Sequence, residues 1–370
     1  MSMQTRRQFV RAGATVATMA AAAPFISISA TRALAESSRK KLGWAICGLG
    51  KLSAEQIAPA LLKTEHCRLT GLITDSPDKA ARWKAQYGIP DRNVYTYDTM
   101  ERMADNPDID VVYIVTPNAL HLPHTLAAAK AGKHVYCEKP MEISIERCER
   151  MMAACKAADR ALGIAYRLQF EPNNLECVRI AREKELGAVK IVEAGFCISV
   201  GDPNQWRLKR ALAGGGSLMD VGVYAVQAMR YLTGEEPILI SATESKTDPV
   251  KFAEVDESIV WQAKFPGGAL AYCSSSYNAH GIARFRAQAE RGWFELDPAF
   301  YYGGIHGRRS DGKEIKLPSG DQFAVEMDDF ARCIQERKPT KVSGEEGLRD
   351  VKVMLAIYES IRTGAAVKLA

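Results

Sequence analysis

The segment Leu42-Gly43-Trp44-Ala45-Ile46-Cys47-Gly48-Leu49-Gly50-Lys51-Leu52-Ser53 reads as a short buried strand, a glycine turn and the start of a helix that runs through Leu62. Glycines between a strand and a helix let backbone N–H groups meet a pyrophosphate at the helix N-terminus. Ser53 stands where a third Gly or Ala is expected, so the fingerprint is incomplete, and the weight rests on the order strand, Gly-x-Gly, helix. Working outward, the same alternation repeats. Arg68 to Thr74 is a second strand, ending in Asp75-Ser76. An acid there suits the adenine ribose hydroxyls and favours NAD, while Ser76, Lys79 and Lys51 are placed to hold a 2′-phosphate. Asp75-Ser76-Pro77 also serves as a helix N-cap.

Asp110 to Val115 is a further buried strand with Thr116-Pro117-Asn118 at its carboxyl end, where open α/β sheets bind ligands. His121 and His124 open the next helix pattern, either as ligand contacts or as caps. Lys133 to Cys137 is a strand ending in Glu138-Lys139-Pro140, with Lys139 aimed into the same crevice and an X–Pro bond that can be cis. A helix from Ser144 to Asp159 and a strand from Ala161 to Arg167 close the half. Strands alternating with helices predict a parallel, doubly wound sheet, a dinucleotide-binding domain over 36–165.

Past Arg167 the pattern changes. Residues 190–200, 237–246, 257–265, 269–277, 283–290 and 292–296 read as strands, with turns at Pro266-Gly267-Gly268 and Arg291-Gly292 and a hairpin at Asp311-Gly312. These predict an open, antiparallel sheet in a second domain over 166–370. Its bare face is expected to carry Trp261, Tyr272 and Trp293 and to pair two subunits. Two amphipathic helices, 321–336 and 345–363, end the chain and are free to pack back on the first domain.

Within that second half lies Gly214-Gly215-Gly216-Ser217-Leu218-Met219-Asp220-Val221-Gly222-Val223-Tyr224. Ser217 suits a helix N-cap, and the glycines read as a flexible stretch that lets a ligand come close. Asp220 and Tyr224, four apart, share one helix face. A carboxylate beside a phenol suits proton transfer to a sugar hydroxyl. A buried tyrosine bonded to a helix aspartate gives the same pattern.

The chain of 370 residues is 47% hydrophobic and 25% charged, an ordinary globular composition with room for two cores. Its start, Thr5-Arg6-Arg7-Gln8-Phe9-Val10-Arg11, followed by an alanine-rich stretch and Ala33-Leu34-Ala35, resembles a twin-arginine export signal over 1–35. The apolar part is too short and alanine-rich for a stable membrane anchor. Cleavage after Ala35 removes four arginines and no acid, taking the net charge from +5 to +1. That balance argues against nucleic acid as a partner. The nine cysteines are odd in number, lack a C-x-x-C pair and sit among apolar neighbours, which points to buried thiols and no metal site.

Gly48-Leu49-Gly50-Lys51, Thr116-Pro117-Asn118 with His121, Gly132-Lys133-His134-Val135, Glu138-Lys139-Pro140, Tyr166-Arg167 and the run Gly214 to Tyr224 together resemble the glucose–fructose oxidoreductase/inositol dehydrogenase (Gfo/Idh/MocA) family. The resemblance covers essentially all of the chain after the leader. Trp206-Arg207-Leu208, Ala213 to Asp220, Tyr231 to Pro237, Pro298 to Tyr302 and the leader itself resemble its exported glucose–fructose oxidoreductase type, or a related aldose–aldose type. Many family members carry His where Tyr224 stands. Two features depart from that type: Asp75 is unusual for a strict NADP binder, and the lead before Leu42 is short, so a homodimer is expected rather than a tetramer.

The resemblance implies a tightly bound NADP(H), with NAD left open by Asp75. It implies cofactor contacts from Gly48, Leu49, Gly50, Lys51, Leu52, Thr74, Asp75, Ser76, Lys79, Thr116, Pro117, Asn118, His121, Glu138, Lys139, Arg167, Trp206, Arg207 and Tyr302. Lys139, Asp220 and Tyr224 are the implied catalytic residues, with Arg167 joining them around the sugar. An ammonium beside a phenol favours the phenolate, so Tyr224 is expected to be the acid/base, with Lys139 lowering its pKa and holding the hydroxyl, and Asp220 orienting the sugar and Lys139. A periplasm offers no pool of free nicotinamide nucleotide, so an exported enzyme is expected to keep its cofactor and recycle it with two sugars. The lactone and the alditol would be the products. An ordinary aldose dehydrogenase with exchangeable cofactor, and a non-catalytic sugar sensor, are the other readings.

Overall fold

A computed structural model describes residues 40–369; the export signal expected over 1–35 lies outside the described residues. The first sheet holds β1 (Leu42–Cys47), β2 (Cys67–Ile73), β3 (Val94–Tyr95), β4 (Val111–Ile114), β5 (His134–Glu138) and β6 (Leu162–Ala165). All pairs are parallel, in the order β3-β2-β1-β4-β5-β6. β1 and β4 are buried on both faces because crossover helices cover both sides. Those helices include α1 (Pro77–Tyr87), α2 (His121–Lys130) and α3 (Ile145–Ala157). The order reverses between β1 and β4, which opens a crevice at the carboxyl ends of the strands. The two-residue strand β3 was not expected, being too short to show a period.

α4 (Pro172–Arg182) leads into the second sheet. It contains β7 (Val189–Cys197), β8 (Leu239–Ser245), β9 (Ser258–Lys264), β10 (Leu270–Ser276), β11 (Ala283–Ala289), β12 (Gly292–Leu296), β13 (Gly307–Arg309), β14 (Glu314–Ile315) and β15 (Val367–Lys368). The order is β14-β13-β12-β11-β7-β10-β9-β8-β15. Every pair is antiparallel except the central β7–β10, which is parallel, so the expected antiparallel sheet is a mostly antiparallel one. α5 (Val223–Thr233) covers one face, and β9 alternates buried and exposed residues accordingly. Trp261 corrects the expectation for the bare face: it is fully buried on the covered side, whereas Tyr272, Val260 and Leu270 are exposed. Trp293 lies on the bare side between the guanidiniums of Arg286 and Arg308, 4.4 and 5.5 Å from its ring centroid.

α6 (Gln322–Glu336) and α7 (Gly344–Thr363) close the fold. Asp321 caps α6 by accepting from the N–H groups of Phe323 and Ala324. α6 returns to the first sheet, where Phe330 packs on Trp44 and Tyr136 with ring centroids 6.1 and 4.8 Å apart. α7 meets the second sheet through Ser360, whose Oγ accepts from the Ala242 N–H at 3.0 Å. Eight of the nine cysteines are buried free thiols and Cys333 is half-buried.

Candidate active site

A cavity of ≈ 670 Å³ opens at the reversal point of the first sheet. Its first wall comes from loops that follow strands: Gly50 to Leu52 after β1, Val115 and Thr116 after β4, Glu138 and Lys139 after β5, and Arg167 after β6. The turn after β1 is built for close approach. Gly48 has φ +99°, and a Cβ there would meet the Val115 carbonyl oxygen at 2.8 Å, whereas a Cβ at Gly50 would meet nothing within 4 Å. Ser53 is fully buried and its hydroxyl donates to the Gly48 carbonyl at 2.6 Å. The residue that breaks the glycine fingerprint therefore ties the loop together. These features fit a nicotinamide dinucleotide, with Gly50, Lys51 and Leu52 at its pyrophosphate.

The second wall carries Asp220 and Tyr224. Leu218–Gly222 is a π-helical turn running into α5, a form that recurs at functional sites. Ser217 is not its side-chain cap, because its hydroxyl donates instead to Asp256 Oδ2 at 2.9 Å. Asp256 itself does the capping: its carboxylate accepts from the N–H groups of Gly216 and Leu218 at 2.6 and 2.9 Å. The glycines are not a flexible approach for a ligand. A Cβ at Gly215 would lie 1.9 Å from the Tyr358 hydroxyl and one at Gly216 2.0 Å from the Asp256 carbonyl oxygen, so protein groups occupy that space.

Lys139, Asp220 and Tyr224 meet in the cavity. The Lys139 ammonium donates to the backbone carbonyl of Asp220 at 2.7 Å and lies 3.5 Å from Asp220 Oδ1. It also sits 4.8 Å from the centroid of the Tyr224 ring. Asp220 thus orients the lysine mainly through its main chain. Its other oxygen accepts from Arg207 Nε at 2.9 Å and from the Tyr277 hydroxyl at 3.0 Å. Burial alone would raise the Asp220 carboxyl, but the Arg207 and Lys139 charges and the Tyr277 hydrogen bond hold it far below the usual carboxylate range. Asp220 is therefore a fixed anion. Burial disfavours the Lys139 ammonium, yet Tyr224, Asp220 and Glu138 outweigh it and leave its pKa raised. The Lys139–Pro140 bond is cis.

The Tyr224 ring is held between Phe196 and Phe300, at 5.5 and 5.8 Å between centroids. Arg167 is buried, 5.1 Å from the Tyr224 centroid and 4.7 Å from that of Tyr302. Its guanidinium donates to the Tyr301 carbonyl at 3.0 Å, Gln322 Oε1 at 2.6 Å and the Phe300 carbonyl at 2.5 Å. Such a site holds a cation, a fixed anion and a phenol around one space, an arrangement suited to moving a proton to or from a hydroxyl.

Residues 42–166 match the model of an oxidoreductase family with an NAD-binding Rossmann fold (GFO_IDH_MocA), and residues 175–295 match the GFO/IDH/MocA C-terminal domain. The chain is also 34% identical over 335 residues to D-xylose 1-dehydrogenase [NADP(+)] of Haloarcula marismortui, covering 88% of this chain and 92% of that protein. The chain belongs to the Gfo/Idh/MocA family. Among solved structures of Gfo/Idh/MocA type it resembles aldose–aldose oxidoreductase from Caulobacter crescentus complexed with glycerol. That likeness has 45% identity and a TM-score of 0.86, over 89% of this chain and all of that one. The protein is an NAD(P)-dependent oxidoreductase.

Against that frame, Gly50, Lys51, Leu52, Thr116, Asn118, Glu138, Lys139, Arg167, Trp206, Arg207, Asp220, Tyr224 and Tyr302 line the cavity. Other expected contacts do not. His121 is fully buried, its Nε2 at 3.0 Å from the Thr116 carbonyl and its Nδ1 at 3.1 Å from those of Pro140 and Met141. It braces the two loops behind the cavity. Leu49 is buried in the core, and Gly48 and Pro117 shape their turns without facing the space. Thr74, Asp75, Ser76 and Lys79 stand one strand away, after β2. There the Asp75 carboxylate accepts from the Tyr97 N–H at 2.9 Å, and Ser76 Oγ caps α1 by accepting from the Lys79 N–H at 3.4 Å. Arg207 turns onto Asp220 and stacks 4.6 Å from the Trp206 ring centroid instead of reaching outward. Sequence reasoning missed Tyr277, Gln322 and Phe323, whose roles depend on contacts with residues far away in the chain.

Proposed function

We propose that this protein is an exported sugar oxidoreductase that oxidises an aldose at C1 to the lactone and reduces a second sugar, ketose or aldose, to the alditol. The observation that carries this reading is the meeting of Lys139, Asp220 and Tyr224 in one cavity with the Gly50–Leu52 turn. Support also comes from the 45% identity to an aldose–aldose oxidoreductase. Gly50, Lys51 and Leu52 would hold a tightly bound NADP(H), which would supply the acceptor and donor of hydride. Ser76 and Lys79 would hold its 2′-phosphate, since the Tyr97 N–H already engages the Asp75 carboxylate.

Tyr224 takes the proton of the C1 hydroxyl as the sugar is oxidised and returns one when a carbonyl is reduced. Lys139, against its ring, stabilises the phenolate charge. Asp220, always ionised, keeps Lys139 and Arg207 in place. Arg167 holds the Phe300–Tyr301 backbone that packs the Tyr224 ring. Because one space serves both sugars, the kinetics are ping-pong and each sugar competes with the other. Initial rates with both sugars varied should give parallel double-reciprocal lines; intersecting lines would contradict the scheme.

A second reading has a specific observation behind it: the relative at 34% identity is a D-xylose 1-dehydrogenase using NADP(+). In that reading the cofactor exchanges on each turnover, and added NADP raises the rate. The leader Thr5 to Ala35 argues for the first reading, through export by the twin-arginine translocon to the periplasm. We further propose that the bare face of the second sheet, with Val260, Leu270 and Tyr272 exposed on adjacent strands, pairs with a second copy. Sedimentation at micromolar concentration should give a dimer, and charging that face with Leu270→Glu should give a monomer.

A further inference from the structure

Beneath Lys139 lies a buried group of acids and phenols that the proton chemistry above does not use. Glu138 is nine-tenths buried and faces the cavity floor, and Glu326 of α6 is fully buried below it. The Tyr113 hydroxyl donates to Glu138 Oε1 at 2.9 Å and stands 3.4 Å from Glu326 Oε1. The Tyr136 hydroxyl donates to Glu326 Oε2 at 3.1 Å. Trp44 and Phe330 pack around these phenols, and among the described residues the cations whose charge reaches the two acids, Lys139 and Arg167, come from the cavity side.

Hydrogen counting decides the state of the group. Tyr113 has one proton and two carboxylates beside it, and ionised carboxylates accept only. Two buried carboxylates bridged by one phenol repel unless one is neutral. With a single added proton on Glu326 Oε1, Glu326 donates to the Tyr113 oxygen, Tyr113 donates to Glu138, Tyr136 donates to Glu326 Oε2, and every contact is satisfied. Glu138 is the better place for the charge, being next to Lys139 and closer to the cavity. Burial, followed by the charge of Glu138, pushes the Glu326 carboxyl well above the ordinary range.

α6 makes this arrangement a strut for the site. Gln322, one turn before Glu326 on the same face, accepts from Arg167, and Phe323 lines the cavity against Tyr302 at 5.4 Å. We propose that Glu326 is a positioning residue that carries a proton in the folded enzyme and, through Tyr113, fixes Glu138 at the floor of the cavity beside Lys139. Its kinetic part rests on the reading of Lys139 and Tyr224 as the reacting pair.

The test compares E326Q and E326A in the full chain. Gln reproduces a neutral acid, since its amide donates to Tyr113 and its carbonyl accepts from Tyr136, whereas Ala leaves both phenols unbridged. The infrared difference spectrum of resting wild type against E326Q should contain the carbonyl stretch of a protonated carboxyl, present in wild type and lost in the variant. E326Q should keep kcat within about twofold, while E326A should lose on the order of tenfold in kcat at little cost in sugar KM, the scale of one buried hydrogen bond. Should E326A not fold, Tyr113→Phe removes the bridge and should lower kcat by the same factor. Absence of the carboxyl band, an E326Q loss as large as that of E326A, or full activity in the bridge-less variants would overturn the proposal. If no sugar is oxidised at all, the proposed function falls, and the band still decides the state of Glu326.

Discussion

The two walls of the cavity are built in different ways. On the first wall each residue follows directly from a strand end, so Gly50, Thr116, Lys139 and Arg167 are set by the parallel sheet and the short turn after each strand. On the second wall Asp220 stands on a π-helical turn, and Tyr224 in the first turn of α5 that continues it; the shape of the π turn is held from outside, by Asp256, Tyr277 and Arg207, none of them on the turn itself. The first wall is local in sequence and its geometry is over-determined by the sheet. The second is a tertiary assembly, and its chemistry and its stability share the same contacts.

That contrast can be broken most forcefully at Tyr224, the proposed acid/base. Tyr224→Phe keeps the ring between Phe196 and Phe300 and removes only the hydroxyl, so turnover should fall by roughly 10²–10⁴ with the melting temperature nearly unchanged. Lys139→Met should lower turnover comparably, because the ammonium that lies against the Tyr224 ring and donates to the Asp220 carbonyl is gone. A Tyr224→Phe enzyme with full turnover would show that the phenol is packing alone.

The supports should separate the walls. Asp256→Ala removes two caps to the π turn and the partner of Ser217 and Tyr358. It should destabilise by about 3 kcal/mol and depress turnover as well. Ser144→Ala, on the helix that follows the first wall's Lys139 loop, removes one local cap of α3 and should cost about 1 kcal/mol, leaving turnover intact. Chemical denaturation beside steady-state assays measures both. Equal activity losses in the two variants would erase the distinction.

A pH slope comes from histidines of the first domain that lie outside the cavity lining. Burial, with the neighbouring His121, pushes the His124 imidazole down to about 4, from an ordinary value of about 6.5. Between these values the unfolded chain binds a proton that the folded chain does not, so stability is full above 6.5 and falls as pH drops toward 4. His134, also pushed down to about 4 by burial and then Arg160, acts in the same window. Melting temperatures from pH 7 to 4 should decline less steeply in His124→Gln than in the wild type.

The same division explains what the sequence revealed. The strand–turn–helix order, Lys139 before Pro140 and the pairing of Asp220 with Tyr224 are carried by neighbours within a few residues, and they were readable. Ser217 misled because a serine ahead of a helix has the same appearance whether it caps the turn or hands that task to Asp256. The three glycines looked like freedom for a ligand because Ile143, Tyr358 and Asp256, which fill their space, are far away in the chain. Trp261 was misplaced because alternation gives the period of a strand and not which face is covered. His121 opens a helix at the crevice, yet both its ring nitrogens lie against backbone carbonyls and face away from the cavity lining. Glu326 left one trace, an acid within the apolar stripe Phe323, Met327 and Phe330 of α6; only the fold shows what it faces.

The central claim is that hydride passes between two sugars at this cavity through a nucleotide that does not leave. The most direct measurement is the near-ultraviolet spectrum of purified, extensively dialysed protein after glucose is added without free cofactor, with the nucleotide released by denaturation then identified. The account predicts a stoichiometric reduced-nicotinamide band that a second sugar erases, and NADP as the released nucleotide. No band until cofactor is supplied would contradict it and leave an ordinary dehydrogenase.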